Sequence, residues 1–247
     1  MNTPVAADAR VVALVPAAGR GVRLGASVPK ALVAVCGAPL LVHAVRGLLA
    51  AGCVDQVVVA APSDMVDVVV DALSEFGAAV RVVPGGEERS DSVRLALDEA
   101  VAIHPDTRVV LVHDAARCFT PPEVVRAVVE AVKAGAPAVI PVLPVTDTVK
   151  QVDVDGRVVA TPDRSRLRIV QTPQGFDVDL LRRAHGVDGS SLQAGLPQQD
   201  APVTDDAGLV ERLGEPVATV AGHPHALKIT TPFDLVVAEA LFSGAEL

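Results

Sequence analysis

The sequence predicts an α/β protein in which helices flank a doubly wound, mostly parallel β-sheet. Three observations carry that prediction. Short Val-rich runs alternate with stretches of helical periodicity along most of the 247 residues. Strands buried on both faces use such Val-rich runs. Aliphatic side chains must fill almost the whole core, because Trp and Tyr are absent and the aromatic residues are Phe76, Phe119, Phe176, Phe233 and Phe242. The length and an apolar fraction of 50% suit one domain with a large core and room for a small subdomain.

The elements follow in order. Val11 to Val15 reads as the first strand, stopped by Pro16. Pro39 to Ala51 has apolar residues at helical spacing and ends at Gly52, a C-terminal cap. Val57 to Ala60 reads as strand, Asp64 to Phe76 as a helix closed by Gly77, and Val80 to Val83 as a third strand. After Pro84-Gly85-Gly86 comes a helix whose apolar face is Val93, Ala96, Leu97, Ala100 and Val101, with Ser90 or Asp91 as the expected cap. Val109 to Val112 is the next strand, Pro121 to Ala134 the next helix, and Ala138 to Pro141 another strand. In such sheets ligands bind beyond the carboxyl ends of the strands, where strand order reverses.

The rhythm breaks at Pro144. Thr148 to Thr161 reads as a hairpin turning at Asp155-Gly156 between β-rich arms. Two strands alone are marginally stable, so this arm is expected to pack outside its own sheet, with a second subunit as the candidate. The α/β pattern resumes with a strand at Ile169 to Gln171 and helices near Asp177–Ala184 and Asp205–Leu213. Strands around Val217–Val220 and Ala226–Ile229 follow, then a helix from Thr231. Between these, Asp188 to Val203 is rich in Gly, Ser, Gln and Pro and reads as a mobile connector.

Composition excludes several classes. A net charge of −9 argues against a nucleic-acid footprint, and the scarcity of aromatics removes stacking platforms for single strands. No apolar run approaches membrane-spanning length, and no basic stretch precedes the first apolar run, so neither a membrane span nor a signal peptide is expected. Cys36, Cys53 and Cys118 lack metal or disulfide spacing, which reads as reduced thiols in a cytoplasmic protein.

The chemistry-bearing residues sit in loops. Pro16-Ala17-Ala18-Gly19-Arg20-Gly21 leaves backbone N–H groups uncovered, and Arg23 and Lys30 flank it with positive charge. Small residues for close approach beside fixed cations suit a triphosphate, although the same loop also reads as an ordinary strand connection. It is neither a Walker A loop, whose pattern is absent, nor the dinucleotide fingerprint, which would need Gly where Leu24 stands. Gly85-Gly86-Glu87-Glu88-Arg89-Ser90-Asp91-Ser92 opens a helix and offers both close backbone approach and a helix N-terminus, or simply a turn and a cap. His113-Asp114-Ala115-Ala116-Arg117 ends a strand, so Asp114 faces the expected crevice and could hold Mg²⁺ beside phosphates, cap a helix or pair with Arg117. Thr148, Arg164, Thr204 and Lys228 say little individually: a solvated basic run, a snorkelling Lys and a helix cap explain them equally. His223-Pro224-His225 has no nearby third ligand for a metal, and no Ser/His/Asp nucleophile pattern stands out.

Together these pieces resemble one family, the 2-C-methyl-D-erythritol 4-phosphate cytidylyltransferases of isoprenoid precursor synthesis. The matching motifs are Pro16-Ala17-Ala18-Gly19-x-Gly21-x-Arg23-Leu24, Pro29-Lys30, Gly85-Gly86-x-Glu88-Arg89-x-Asp91-Ser92-Val93 and His113-Asp114-Ala115-Ala116-Arg117. They continue with Asp147-Thr148-x-Lys150, Asp163-Arg164, Gln171-Thr172-Pro173-Gln174, Thr204-Asp205 and Leu227-Lys228-Ile229-Thr230, in family order across residues 11 to 240. The first motif is common to many nucleotidyltransferases; the whole series is highly specific. The chain departs from the pattern at Cys118, where Pro is usual, at Val28, where Cys or another small residue is common, and at Glu87, where Asp is frequent.

The resemblance implies a single Rossmann-like nucleotidyltransferase domain over residues 1–247, with a dimerisation arm at about 144–172 and a homodimer in the cytoplasm. It implies transfer of a cytidylyl group from CTP to methylerythritol phosphate, with Mg²⁺ or another divalent cation as cofactor. By family match Arg23, Lys30, Arg164 and Lys228 are catalytic. Pro16, Ala17, Ala18, Gly19, Gly86, Glu87, Ser92, Asp114 and Ala115 bind the nucleotide, and Thr148, Arg164, Thr204 and Lys228 bind the acceptor, with Asp114 also a candidate metal ligand. Two alternatives compete: a related nucleotidyltransferase acting on a sugar or ribitol phosphate, which would lack the Thr148, Arg164 and Lys228 set, and a non-catalytic nucleotide sensor, which would not need both Arg23 and Lys30.

Overall fold

The computed structural model describes residues 9–19, 28–186 and 203–242. Arg20 to Leu24, Arg23 included, and all of the expected connector but Val203 lie outside the described residues. In chain order the strands are β1 (Arg10–Pro16), β2 (Ala34–Val35), β3 (Ala38–Pro39), β4 (Gln56–Ala61), β5 (Val80–Pro84), β6 (Thr107–Val112), β7 (Ala138–Pro144), β8 (Gln151–Val152), β9 (Val158–Ala160), β10 (Arg168–Val170), β11 (Gln174–Asp177) and β12 (Ala218–Ala221). The α-helices are α1 (Leu40–Ala50), α2 (Val66–Ala72), α3 (Arg89–Ile103), α4 (Pro122–Lys133), α5 (Val178–Ala184), α6 (Asp206–Arg212) and α7 (Pro232–Phe242).

The sheet runs β5-β4-β1-β6-β11-β7, with β10 and β12 also paired to β7. β5, β4, β1 and β6 are mutually parallel, as are β7 and β12, while β10 and β11 run antiparallel to their neighbours. This is the mostly parallel, doubly wound α/β domain that the alternating runs predict. Burial on both faces explains their continuous apolar character. Val11, Ala13, Val15, Val57 and Val59 pack with α1 and α4, whereas Val12, Leu14, Val58 and Ala60 pack with α3 and α5. Successive side chains point to opposite faces, so every residue of such a strand meets a helix.

Four local expectations need correction. The helix expected over Asp64–Phe76 is broken: α2 ends at Ala72, and a 3-10 turn over Ser74–Ala79 takes over, with Gly77 at φ 51°. The helix after Gly85-Gly86 begins one residue beyond Glu88, which takes the cap position in place of Ser90 or Asp91; Asp91 instead accepts the Glu88 N–H at 3.3 Å. β11 was not anticipated, because Gln174-Gly175-Phe176-Asp177 is short and carries one large apolar residue; Phe176 is nonetheless fully buried between β6 and β7. Ala226 to Ile229 is not a sheet strand: a 3-10 turn covers Pro224–Ala226, and Ile229 N–H bonds Ala116 C=O at 2.8 Å. That bond, with Arg117 Nη1 donating to Ala226 C=O at 2.8 Å, lays the segment across the carboxyl end of the sheet.

The arm forms where the Asp155-Gly156 pair places it. Gly156 takes φ 78°, a left-handed turn position that glycine adopts freely. Asp153 N–H bonds Arg157 C=O at 2.9 Å, and β8 pairs β9 over only a few residues. Val152, Val154, Val158 and Val159 stand exposed on it.

Candidate active site

Three loops leave the carboxyl ends of the parallel strands β1, β5 and β6 and meet where the chain crosses from one side of β1 to the other. Backbone hydrogen bonds set each loop: Ala17 N–H to Ala60 C=O at 2.8 Å, Gly85 N–H to Ala61 C=O at 2.7 Å, and His113 N–H to Leu14 C=O at 2.9 Å. Gly85 is required by close approach. A Cβ there would lie 2.8 Å from Ala18 Cβ and 2.9 Å from Ser92 Oγ. Ser92 is buried in α3, where its hydroxyl accepts the Gly86 N–H and donates to Glu88 C=O, both at 3.1 Å. The glycine loop is thus fastened from inside, and its outer backbone faces an open cleft.

The cleft gathers most of the expected site residues. Pro16, Ala17, Ala18 and Gly19 form one wall, Gly86, Glu87 and Ser92 another, Asp114 and Ala115 the floor, and Lys30 and Lys228 supply cations. Lys30 is delivered by a 3-10 turn over Lys30–Leu32 that starts directly after Pro29. Thr204 lines an adjoining cleft together with Glu88 and Arg89. Thr148 and Arg164 do not reach either space: both are exposed on the arm, and Arg164 donates to Thr146 C=O.

Asp114 is the electrostatic centre. Its Oδ2 lies 2.7 Å from Lys228 Nζ and its Oδ1 3.4 Å from Arg89 Nε. Arg117 Nε is 3.9 Å away, too far for a hydrogen bond, and its Nη atoms donate instead to Ala226 C=O and Val170 C=O. Burial pushes the Asp114 carboxyl up, but Arg89, Lys228 and Arg117 outweigh it and hold it at about 2. Arg89 lines the cleft too and had no role assigned from sequence. A signal existed: a cation in the first turn of a helix opposes the helix dipole, so something specific must hold it there.

His113 sits behind Asp114, fully buried, with Nδ1 3.1 Å from Thr172 Oγ1. The same hydroxyl accepts the Asp114 N–H at 3.1 Å, so one threonine fixes both residues. Burial, with a smaller push from Arg117, takes the imidazole down to about 4 against the pull of Asp114. Between pH 6.5 and 4 the unfolded chain therefore binds a proton that the folded one refuses, and stability is lost as pH falls through that window. The expected loss from pH 7 to 4.5 is about 2 to 3 kcal/mol from this residue. Denaturant titrations of the wild type and His113→Asn at both pH values check it. The variant should show a correspondingly flatter dependence, and an equal slope would mean that His113 titrates normally in the fold.

Small-residue loops at strand ends, a fastened glycine turn and converging cations are the features of a nucleotide-binding α/β protein of the nucleotidyltransferase type. Comparison with known proteins carries this further. The family model for 2-C-methyl-D-erythritol 4-phosphate cytidylyltransferase matches residues 11–243, and the chain belongs to that family. The protein of that name from Saccharopolyspora erythraea is 64% identical over 233 residues, covering 94% of this chain and 99% of the relative. Its namesake from Nocardia farcinica is 56% identical over 234 residues, with 95% and 94% covered. The crystal structure of 4-diphosphocytidyl-2C-methyl-D-erythritol synthase from Anaerococcus prevotii superposes with a TM-score of 0.79 at 29% identity, covering 95% of this chain and 98% of that one.

Proposed function

We propose that this protein transfers the cytidylyl group of CTP to the phosphate of 2-C-methyl-D-erythritol 4-phosphate and releases pyrophosphate. The observation that carries the reading is the cleft itself: small-residue loops at Pro16–Gly19 and Gly86 that let a ligand approach closely, with Lys30 and Lys228 beside them. Among the described lining residues the one hydroxyl, Ser92, is committed to the backbone of Gly86 and Glu88, and no thiol or imidazole joins it. Such a site suits direct in-line transfer. An acceptor phosphate oxygen bonds the α-phosphorus as the bond to the bridging oxygen breaks, and pyrophosphate departs with that oxygen. Positioning and charge stabilisation then supply the catalysis.

In this reading the Pro16–Gly19 backbone, Lys30 and Arg23 hold the triphosphate and stabilise the charge that builds on it. Gly86, Glu87 and Ser92 form the pocket for the base, and Asp114 and Ala115 belong to the nucleotide and metal region. Lys228 receives the acceptor phosphate, with Thr204 at the neighbouring edge and Thr148 and Arg164 brought by the arm of a second subunit. The exposed valines of the arm support pairing into a homodimer, and the free thiols Cys36, Cys53 and Cys118 support a reducing, cytoplasmic setting. Among the described residues no helix is long and apolar enough to cross a membrane.

A divalent cation fits this arrangement in one way. Among the described residues no three His, Cys, Asp or Glu side chains cluster as a metal cage. Mg²⁺, however, commonly rests on one or two carboxylates plus the phosphates of its substrate, and Asp114 is the buried carboxylate on the cleft floor. Asp114 and the triphosphate oxygens would hold the ion, which would neutralise part of the phosphate charge.

Pyrophosphate release from CTP with and without methylerythritol phosphate tests the reaction; activity independent of the acceptor, or none, overturns it. The base is tested separately. CTP is expected to exceed ATP and GTP by about 100-fold or more in kcat/KM, because a rigid pocket that hydrogen-bonds one base leaves its groups unpaired with another. Comparable efficiency with a purine nucleotide would overturn the assignment of the Gly85–Ser92 loop to cytosine.

A further inference from the structure

Behind Asp114 and Lys228 runs a line of paired polar side chains, Arg89, Asp206 and His185, that the cytidylyl transfer as proposed does not use. Asp206, in the first turn of α6, is buried at 1% exposure, and both its oxygens are occupied. Oδ2 accepts Arg89 Nη1 at 2.7 Å and Oδ1 meets His185 Nε2 at 3.0 Å. Arg89 spans from this buried carboxylate to Asp114, which in turn pairs with Lys228 at 2.7 Å. His185, Asp206, Arg89, Asp114 and Lys228 thus form one line from the interior to the cleft.

Three physical points give the line a purpose. A buried carboxylate is tolerated only when paired, so Asp206 grips the Arg89 guanidinium and denies it other orientations. A planar guanidinium can reach two carboxylates at once, which an ammonium group on a flexible stem does poorly. The position is poor for helix stability, since Arg89 opens α3 at the positive end of its dipole. Arg89 is therefore placed for its partners. Its effect on Lys228 follows from charge. While Arg89 shares Asp114, Lys228 can leave to meet a phosphate without abandoning a buried carboxylate. Without Arg89, the remaining side-chain cation is Arg117 at 3.9 Å, and until an ion binds there Asp114 would hold Lys228 back.

We infer that Arg89 is a positioning residue, clamped by Asp206, that frees Lys228 to bind the acceptor phosphate. The inference rests on the reading of Lys228 given above. Arg89→Lys keeps the charge and loses the fork; Asp206→Asn loosens the clamp. Both are expected to raise the KM for methylerythritol phosphate about 10-fold or more, with kcat and the KM for CTP within about threefold. The double variant should be no worse than Arg89→Lys alone, since the two residues act as one unit. A merely structural role would instead lower the thermal midpoint and the apparent kcat and leave both KM values unchanged, and that result overturns the inference. So does strict additivity of the two losses. Should Asp206→Asn fail to fold, Arg89→Lys alone decides, and a wild-type acceptor KM there is fatal. The wild-type control separates the two claims: an enzyme that releases no pyrophosphate overturns the functional reading. The same variants are then read by inorganic phosphate binding, followed at the labelled Lys228 Cε. Weaker binding in Arg89→Lys supports the inference, and unchanged binding overturns it.

Discussion

Lys30→Ala is expected to lower kcat by about 10²- to 10³-fold while the KM for CTP shifts by no more than about fivefold. Lys30 lines the cleft beside the Pro16–Gly19 backbone, on a turn set by Pro29 and closed by the Val33 N–H on Lys30 C=O at 3.2 Å. In the reading proposed above the ground-state triphosphate is held by several groups of the cleft, so loss of one cation would leave much of that binding in place. The transition state is different. Negative charge grows on the phosphoryl oxygens and the departing pyrophosphate, and a prepositioned ammonium in a partly water-excluded cleft gains most there. Lys30→Arg should recover part of the rate, because charge is retained although the guanidinium is broader. Steady-state kinetics of pyrophosphate release decide the matter. Near wild-type turnover in Lys30→Ala would reduce Lys30 to a solvated surface residue.

The parts of this molecule legible in its sequence are those governed by local rules. Continuous apolar runs identified β1, β4 and β6 because burial on both faces demands them, and β5, an edge strand with Arg81 exposed, was legible from its valines. The motif loops were legible as places of close backbone approach, since a Cβ on Gly85 would press against Ala18 and Ser92. What escaped notice depends on distant partners. β11 is a strand because it fills the gap between β6 and β7, a property of those strands more than of Gln174–Asp177. Ile169 to Val170 was readable, yet its antiparallel place beside Leu143 and Val142 was not. Arg89 looked like one cation among many, since its two carboxylates lie 25 and 117 residues away. Gly77, which reads as a helix cap, instead kinks the 3-10 turn that follows α2. Thr148 and Arg164 show a further gap: a motif match assigns them to the acceptor, but in one chain they stand on the arm, away from the cleft.

That separation leads to the second large effect, expected from mixing two inactive proteins. Arg164→Ala and Lys30→Ala are each expected to lose about 10²-fold or more in kcat/KM as homodimers, because an in-line transfer needs both its donor and its acceptor charges placed. Arg164 lies on the 3-10 turn Arg164–Arg166, directly after an arm whose Val152, Val154, Val158 and Val159 are exposed. Burying those valines against a second copy would carry Arg164 to the partner's cleft. Twofold symmetry then makes two equivalent composite sites, each with Lys30 from one chain and Arg164 from the other. In a heterodimer of the two variants, one site carries both defects and the other carries neither. Random exchange in a 1:1 mixture makes about half the dimers mixed, so about a quarter of all sites should be intact, and activity should return to about that fraction of wild type. Subunit exchange is verified first, by mass spectrometry of differently tagged chains. If mixed dimers form and activity stays at the level of the parents, each site is built within one chain. Arg164 would then have to reach its own cleft by a movement of the arm, or take no part in the reaction.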